Sequence, residues 1–590
     1  MWRKPILALA PALPVLVLSV LASSVARAAE SLPPAAAWIP PNAVVALEIP
    51  APRALLDRAL DPKLTAAVTS LPVYQKASAE PGFQQFLAVV SYLEGSLGTD
   101  WKTGVKKLVG GGITLAAAPD GAVLLFVDAE DEKLLAQLHA TILGFARGDA
   151  ANKGESERIA SHEYRGVTGW TFGKEEAHAI IGRRLVMSNR PDVLKAVLDL
   201  RAEPDGRSLA SLPSYRAAKD AAGPDAAVRA FVNLEVVKQH PPVQKALTEN
   251  ENPLAALLFV GITEALRGSN WLALGLELQG DTLSLQAVVD GKAVDPSGPA
   301  AFALSQQPDQ GAMPNLSVPR QIAGLSLFRD LHAFYAAKDD LFPERTSGLI
   351  FFENMMGIFF SGLDLTDEVL GETEPELRVV VAQQQYDPAV GTPQLQLPAF
   401  AAVFRLRNPG EFGEVVEEAW QKAIGLVNFT RGQQAQPGLI IDRLLHADVK
   451  YTMAYFRSPT GEDRQAIDSR FNFRPALAMF GDYLILSSTD GLAADLIDAL
   501  NREIADQARP LAEAHSLLEV NSAQLASIFD ANRNNMVRQN MLEKGSTQEQ
   551  AEIQVDLIAT VLKHLGEASL QIGNRQGQPR ASLVVKLSMP

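Results

Sequence analysis

The chain has 590 residues and no cysteine, and its 68 acidic residues exceed its 53 basic residues, which gives a formal net charge of −15. The lack of cysteine excludes disulfides, thiolate metal sites, iron–sulfur clusters, cysteine nucleophiles and an acylated-cysteine anchor. The negative charge disfavours nucleic acid and anionic lipid as partners, because both repel an acidic surface.

The first predicted element is a targeting segment over residues 1–28. Two basic residues precede an uncharged apolar run over residues 5–22, and Ala26 and Ala28 form a small-x-small cleavage site. This order predicts a secretory signal peptide cleaved after Ala28, so that no transmembrane anchor remains. The alternative is an uncleaved anchor, which Pro11 and Pro14 within the apolar run disfavour. We therefore expect an exported protein, periplasmic or extracellular, and its lack of disulfides indicates a bacterial source.

Two distant segments follow the same pattern of an apolar pair, a glycine, a short apolar strand and small polar residues. They are IIGRRLVMSN over residues 180–189 and MFGDYLILSS over residues 479–488. Each is followed by a segment whose apolar residues recur at spacings of three and four, which predicts an amphipathic helix. Gly182 and Gly481 are predicted to be turn residues with positive φ, a conformation that glycine adopts without steric cost.

Five further pairs of segments match in the same chain order, with offsets of roughly 265 to 300 residues. The pairs are 46–60 with 324–338, 94–119 with 360–383, 121–143 with 399–424, 231–239 with 515–524, and 274–291 with 568–587. Most combine a strand with a helix, and the last pair predicts a hairpin in each copy. An ordered set of this kind predicts a tandem duplication of a unit of about 270 residues, too long a period for a solenoid.

The predicted fold class is α+β, with two similar tandem lobes that each form a mainly antiparallel sheet covered by helices. The length supports two large domains, since single cores stop growing at roughly 250–300 residues. The first lobe is predicted over residues 29–295 and the second over residues 319–590. Residues 296–318, rich in Pro, Gly, Gln and Ser, are predicted to link them.

No pattern of metal ligands or catalytic residues stands out, and we expect no cofactor. The eight histidines include no pair at i, i+4, and the sequence has no Gly-x-Ser-x-Gly elbow. The acidic run Asp128–Glu132 and the pair Asp364 and Asp367, which has a counterpart near Asp100, precede predicted helices. N-capping explains these residues better than metal binding or acid–base chemistry. The run Gly110–Gly112 precedes a strand, and we interpret it as a sharp turn or a close approach to another backbone.

One apolar segment is a candidate binding surface. At helical spacing Phe352, Met355, Met356 and Phe359 share one face, which predicts either a core face or a groove for a lipid, a peptide or the partner copy. The corresponding stretch of the first copy is similarly apolar, which favours the core interpretation. If the groove exists, its occupant would be an envelope protein or an apolar ligand.

The signal peptide, the start WIPPNAVVALEI and strand–helix units such as RRLVMSNRPDVLKAVLD resemble large exported bacterial proteins of an uncharacterised, domain-of-unknown-function family. The resemblance implies no functional residues. The duplication and the missing catalytic motifs predict a non-enzymatic binding or scaffold protein of the bacterial envelope, with a ligand cleft between the lobes. The alternative is a periplasmic hydrolase with a dispersed catalytic site in one lobe.

Overall fold

The computed structural model describes residues 32–588, apart from residues 71, 174–175, 249–251, 292–297, 299, 304–308 and 459–466. The predicted signal peptide, residues 1–28, lies outside the described residues, as do parts of the predicted linker. Within the described residues, no helix combines the length and the apolar character that a membrane span needs.

The first half of the chain contains ten strands and eleven helices among the described residues. The strands are β1 (Val45–Ile49), β2 (Gly112–Ala117), β3 (Val123–Asp128), β4 (Ile159–Tyr164), β5 (Val167–Phe172), β6 (Glu176–Ile181), β7 (Arg184–Ser188), β8 (Val228–Asn233), β9 (Trp271–Gln279) and β10 (Thr282–Val289). The helices are α1 (Pro52–Ala59), α2 (Pro62–Thr69), α3 (Pro72–Ala79), α4 (Pro81–Leu97), α5 (Trp101–Val109), α6 (Glu132–Asn152), α7 (Pro191–Ala202), α8 (Pro213–Ala221), α9 (Leu234–Val237), α10 (Pro241–Thr248) and α11 (Pro253–Arg267).

The second half contains ten strands and eight helices among the described residues. The strands are β11 (Gln321–Phe328), β12 (Thr373–Ala382), β13 (Ala399–Leu406), β14 (Leu439–His446), β15 (Val449–Phe456), β16 (Ala476–Phe480), β17 (Tyr483–Ser487), β18 (Ala514–Asn521), β19 (Leu565–Arg575) and β20 (Gln578–Leu587). The helices are α12 (Leu331–Ala336), α13 (Lys338–Leu341), α14 (Thr346–Phe359), α15 (Pro409–Gln433), α16 (Asp490–Ala505), α17 (Ser522–Ala531), α18 (Arg533–Lys544) and α19 (Gln548–His564).

The chain packs into two compact units. Unit 1 comprises the described residues up to Val243 together with Ser269–Leu278 and Leu285–Asp290. Unit 2 comprises Gln244–Gly268, Gln279–Ser284 and the described residues from Gly291 onward. Helix α11 therefore packs with unit 2, although it lies in the range predicted for the first lobe.

Each unit is built on a large antiparallel sheet. In unit 1 the paired strands follow the order β4-β5-β6-β7-β3-β2-β1-β8-β9, with β10 beside β9. In unit 2 the order is β14-β15-β16-β17-β13-β12-β11-β18-β19-β20. The prediction of an α+β fold with mainly antiparallel sheets is thus confirmed, whereas duplication of the lobes stays a prediction.

Helices cover both faces of the sheet in unit 1. Alternate residues of a strand point to opposite faces, so Phe126 and Val127 of β3 belong to different cores. Phe126 packs in the cluster that contains Leu194, Val197 and Leu198 of α7. Val127 packs in the cluster that contains the buried leucines of α6. A strand that is buried on both faces explains the continuous apolar run LLFV in this part of the sequence.

The sheet of unit 2 is covered in the same manner on both faces. Ile485 of β17 packs in the cluster that contains Leu496 and Leu500 of α16. Its neighbour Leu484 packs in the cluster that contains Phe412 of α15. The helix positions predicted from the spacing of apolar residues after Gly481 are therefore buried, as an amphipathic helix requires.

The two glycines of the repeated pattern lie where the sequence predicts them. Gly182 (φ 57°) opens the turn between β6 and β7, and Gly481 (φ 55°) opens the turn between β16 and β17. A two-residue hairpin loop with positive φ at its first position favours glycine, because a Cβ would be strained there. The run Gly110–Gly112 allows a close backbone approach, since a Cβ on Gly111 would lie 2.7 Å from the carbonyl oxygen of Asp128.

A buried arginine holds α11 within unit 2. Arg329, at the end of β11, is fully buried and donates hydrogen bonds to the carbonyl oxygens of Leu257 (2.7 Å) and Leu258 (3.2 Å) on α11. It also donates to Ser516 Oγ at 2.9 Å. Burial lowers the pKa of Arg329 to about 10. Carbonyl oxygens thus satisfy a buried cation whose desolvation would otherwise be costly, which fixes the position of α11.

Two histidines form a buried pair in unit 1. His139 of α6 and His178 of β6 approach with their Nε2 atoms 2.6 Å apart, and the ring of His178 stacks on Phe172. Burial lowers the pKa of His139 to about 3, helped by His178, and lowers that of His178 to about 4. Both imidazoles are therefore neutral at pH 7, and the N–H of one ring donates a hydrogen bond to the unprotonated nitrogen of the other.

We predict that the free energy of unfolding of unit 1 falls as the pH drops from 6.5 towards 4. Both folded pKa values lie below the unfolded value of about 6.5, so the unfolded chain binds protons first. The contribution of the two neutral histidines to the free energy of unfolding is complete above pH 6.5. Below that pH the contribution of each histidine falls by at most about 1.4 kcal/mol per pH unit. Urea denaturation between pH 4.5 and 7.5 measures this slope. It should become shallower in His178→Leu but not in His162→Leu, which alters an exposed histidine; equal slopes in both variants would contradict the prediction.

Candidate functional site

The predicted apolar face on α14 divides between core and solvent. Met356 packs in the core under α15, whereas Phe352 (39% exposed) and Met355 (36%) face outward and Phe359 is half-buried. The most exposed large apolar side chains described on this helix are those of Phe351 and Ile358, which the sequence interpretation did not select. The groove therefore stays a prediction, and the exposed face of α14 is centred on different residues.

Unit 1 carries an apolar outer helix at the corresponding point of its chain. Exposed apolar side chains on α4 include Phe86, Leu87, Val89 and Tyr92, and the ring of Tyr92 lies 5.1 Å from that of Phe145 on α6. Neither α4 nor α14 contains a basic residue, and each contains one acid. Basic residues flanking the apolar face are typical of helices that lie on anionic membranes, so these helices lack that signature.

The residues singled out as helix caps do cap helices. Asp100 Oδ1 accepts a hydrogen bond from the backbone N–H of Thr103 (3.0 Å) at the start of α5. Asp364 Oδ1 accepts one from the N–H of Asp367 (2.8 Å), and Asp131 caps α6. The N-capping interpretation is confirmed for all three. Among the described residues, no group of three or more His, Asp or Glu side chains is placed to hold a metal ion.

One concave feature of unit 2 is a cleft of about 630 Å³ that sequence reasoning missed. We call it the unit 2 cleft. Its walls are the β12–β13 loop, the strand end at Tyr455 and Phe456, the turn Phe471–Arg474 and the first turns of α16. These segments are separated by up to about a hundred residues in the sequence, so no local sequence motif indicates the cleft.

A buried asparagine fixes one wall of the cleft. Asn472 is 1% exposed, and its Nδ2 donates hydrogen bonds to the carbonyl oxygens of Leu395 and Ser469, both at 2.8 Å. Its Oδ1 accepts hydrogen bonds from the N–H of Leu397 (2.9 Å) and the hydroxyl of Tyr386 (2.8 Å). All four hydrogen-bonding positions of the amide are used, so the β12–β13 loop is held in one conformation.

A second asparagine anchors the same loop from helix α18. Asn532 accepts a hydrogen bond from the N–H of Gln396 (2.9 Å) and donates one to its carbonyl oxygen (2.7 Å). Gln384 Nε2 donates to the carbonyl oxygens of Leu397 (2.8 Å) and Asn472 (3.0 Å). A loop fixed in this way presents its side chains without an ordering cost on binding, which favours a ligand site.

An ion pair lies at the helix end of the cleft. Thr489 caps α16, and Asp490 in the first turn pairs with Arg474 at 2.9 Å. Arg474 Nε is buried and has no acceptor among the described residues. Asp495, one turn further along α16, is half-buried, and burial raises the pKa of its carboxyl. The helix end therefore offers both a guanidinium donor and carboxylate acceptors.

Aromatic rings also line the cleft. Phe456 and Phe471 lie 6.2 Å apart in an edge-to-face arrangement, and the guanidinium of Arg431 lies 4.7 Å from the centre of the Phe456 ring. Phe473 lines the cleft with 36% of its surface exposed, and Tyr455 is half-buried beside it in the lining. Apolar ring faces and polar groups thus converge on one space, as in ligand pockets generally.

Unit 1 has a smaller cleft, of about 210 Å³, at the corresponding point of its fold. It lies among the end of β2, the start of β3 and the first turn of α7. Arg190 pairs there with Asp120 and Asp192, each at 2.6 Å. No aromatic residue is among those that line this cleft.

The strongest nucleophile arrangement in the described part of the chain is a serine beside a lysine. Lys422 Nζ lies 2.6 Å from Ser361 Oγ and 2.8 Å from Glu418 Oε1, and Ser361 has φ 56°. The hydrogen bond from Lys422 lowers the pKa of Glu418. The lysine ammonium therefore donates hydrogen bonds to both neighbours and has no free lone pair with which to activate the serine. It also donates to the carbonyl oxygen of Phe359, which is a structural role at the end of α14.

No protein-family model matches the chain, and no curated protein matches it. Among solved structures, similarity is found to crystal forms III and I of TP0453, each with 13% sequence identity and a TM-score of 0.25. These matches cover 46% of this chain and 85% and 84% of the TP0453 chains. Similarity this low carries no conclusion about fold or function.

We predict that Asn472→Ala loosens the cleft wall. The substitution removes four hydrogen bonds and leaves buried partners unsatisfied, so unit 2 should lose about 2–4 kcal/mol of stability. Hydrogen exchange followed by mass spectrometry should become faster in residues 383–398. Asn408→Ala, which removes one exposed bond to Glu372, is the matched control and should leave this loop unchanged. An unchanged exchange rate in Asn472→Ala would contradict the assigned role.

Proposed function

We propose that the chain is an exported bacterial envelope protein that binds a ligand without chemical turnover, and that the unit 2 cleft is its principal site. We further propose that the two units descend from one duplicated module. The observation that carries the binding function is a prearranged cleft of ligand size, about 630 Å³, with both aromatic and polar walls.

The strand order supports the duplication. Adding ten to each strand number of unit 1 gives the order found in unit 2, from the edge strands β4 and β14 to the hairpins at the other end. An asparagine N-cap also recurs after the eighth strand of each unit: Asn233 caps α9 after β8, and Asn521 caps α17 after β18. Connectivity of this length is rarely repeated by chance, because many antiparallel orders satisfy the same packing rules.

The two clefts support binding rather than catalysis. Both lie beside the helix that follows the seventh strand of their unit, and both contain an arginine paired with an aspartate of that helix. What recurs is a concave position with an ion pair, whereas neither a histidine nor a lysine, the usual bases that activate a serine, is among the residues that line either cleft. The hydrolase alternative would use Ser361 and Lys422, whose ion pair with Glu418 opposes it.

Export is supported by the N-terminal segment over residues 1–28, and the cysteine-free composition supports a bacterial source for an exported chain. We predict that a C-terminally tagged chain produced in a Gram-negative bacterium is recovered outside the cytoplasm with Ala29 as its first residue. Cell fractionation and intact-mass measurement check both points. Deletion of residues 2–28 should retain the protein in the cytoplasm. Recovery of the full-length chain in the cytoplasm would refute the export proposal.

Blocking the cleft tests the binding function. Gly491, at the second position of α16, lines the cleft, and an added Cβ there meets open space, so Gly491→Trp should fill the cleft without strain. Gly410 occupies the equivalent position of α15, is equally open and lies outside the cleft lining. We expect protein purified from its own envelope to retain a bound mass in native mass spectrometry. Gly491→Trp should lose that mass and Gly410→Trp should keep it.

Two results would overturn this proposal. The first is a native mass spectrum in which Gly491→Trp still carries the bound mass, or in which no form of the protein carries one. In either case the cleft would hold no envelope ligand. The other is hydrolysis of ester, peptide or glycoside substrates that Ser361→Ala abolishes, because the serine would then act as a nucleophile despite its charged neighbour. Circular dichroism of both tryptophan variants establishes that they fold alike.

A further inference from the structure

We infer that the unit 2 cleft recognises a neutral carbohydrate, a short chain of polyhydroxylated rings. The inference rests on the proposed binding function and specifies the chemical class of the ligand. It follows from three properties of the cleft: its charge, the state of its carboxylates and the placement of its aromatic rings.

The charge of the lining disfavours anionic ligands. Four carboxylates line the cleft against two guanidiniums, those of Arg320 and Arg474. Arg474 is already paired with Asp490, and the Nε of Arg320 donates to the carbonyl oxygen of Gln383 at 3.3 Å. A phosphate, a nucleotide or a fatty-acid carboxylate would therefore meet an excess of negative charge, and the chain as a whole is acidic.

Two of the four carboxylates, Asp490 and Asp495, are also poor partners for a cation. Asp387 Oδ1 accepts a hydrogen bond from the N–H of Ala389, and Asp442 Oδ1 accepts one from the N–H of Arg443, both at 2.8 Å. Asp490 is neutralised by Arg474, and the raised pKa of Asp495 reflects a reduced tendency to ionise. Each group keeps oxygen lone pairs that can accept hydrogen bonds from hydroxyl groups. Asp490 and Asp495 therefore suit O–H donors better than ammonium ions.

The aromatic rings complete the match. A sugar ring has apolar C–H faces and a rim of hydroxyls, so it is bound where ring faces and planar polar side chains meet. Phe473 remains 36% exposed at the lining, Tyr455 adds a hydroxyl beside its apolar ring, and Tyr386 contributes its ring to the same lining. Gln383 and Gln385 line the same space and supply amide donors and acceptors. The volume of about 630 Å³ lies inside the range of roughly 300–1,000 Å³ that is typical of ligand pockets.

The small cleft of unit 1 provides an internal control for this inference. It contains a similar arginine–aspartate arrangement but no aromatic lining, and its volume is about 210 Å³. If ring stacking is required, carbohydrate binding should depend on unit 2 alone. A stoichiometry of one oligosaccharide per chain is therefore expected.

The test uses the full chain and isothermal titration calorimetry with four probes: cellohexaose, maltohexaose, chitohexaose and, as an anionic comparator, an oligogalacturonate. We expect at least one neutral oligomer to bind with a stoichiometry of one and the oligogalacturonate not to bind. Phe473→Ala should weaken binding about tenfold or more, the effect of losing one stacking contact. Gly491→Trp should abolish binding, and Gly410→Trp should leave it unchanged.

The possible results separate the carbohydrate inference from the proposed function. If no neutral oligomer binds at millimolar concentration, or if only the anionic probe binds, the carbohydrate inference is wrong. The proposed function survives that result when the envelope-derived mass is still lost in Gly491→Trp, and it fails when that mass is kept. Binding that Gly491→Trp leaves intact would place the carbohydrate elsewhere and overturn the inference. Chromatography of the probes after incubation should recover them uncleaved.

Discussion

The pairing of one central strand on both of its edges determines the rest of each unit. In unit 1, β1 pairs with β2 on one side and with β8, far along the chain, on the other. In unit 2, β11 does the same with β12 and β18. This strand joins two groups of strands. In unit 1 they are β2–β7, which precede helix α7, and β8–β10, which end in the terminal hairpin; in unit 2 they are β12–β17, which precede α16, and β18–β20. Without it, each group would be a meander with an exposed edge and half a core.

This pairing also produces the clefts. Strand β3 pairs with β7, and β13 pairs with β17. The helix that follows β7 or β17 must therefore return over the sheet at the ends of β2 and β3, or of β12 and β13. The space between the loop and the helix N-terminus is then open to solvent. In unit 1 small alanine side chains and a short loop keep that space small, whereas in unit 2 the long loop Gln383–Pro398 walls a larger one. The two sites thus differ in loop length and in aromatic lining, whereas the strand order around them is the same.

Buried polar groups give unit 2 its fixed geometry. Asn472 and Arg329 lie in the interior with their hydrogen-bonding atoms committed to backbone partners, so neither can move without leaving carbonyl or N–H groups unsatisfied. The first holds the loop of the cleft and the second holds helix α11. In both cases a single side chain joins segments far apart in sequence. Such residues stabilise one arrangement against alternatives that an apolar core of the same volume would permit.

The sequence alone determined features that depend on neighbouring residues. Apolar periodicity predicted the helices α7 and α16, the turn glycines Gly182 and Gly481 were recognisable because positive φ favours glycine, and Asp100 and Asp364 marked helix starts because a capping carboxylate acts within three residues. The matching order of segments also pointed to an α+β fold of antiparallel strands. The tertiary structure decided which strands are neighbours, that α11 packs with unit 2, and that segments near residues 385, 455, 472 and 490 enclose one cleft. Those outcomes depend on contacts between residues far apart in the chain, and contacts of that kind leave no periodic or local signal in a single sequence.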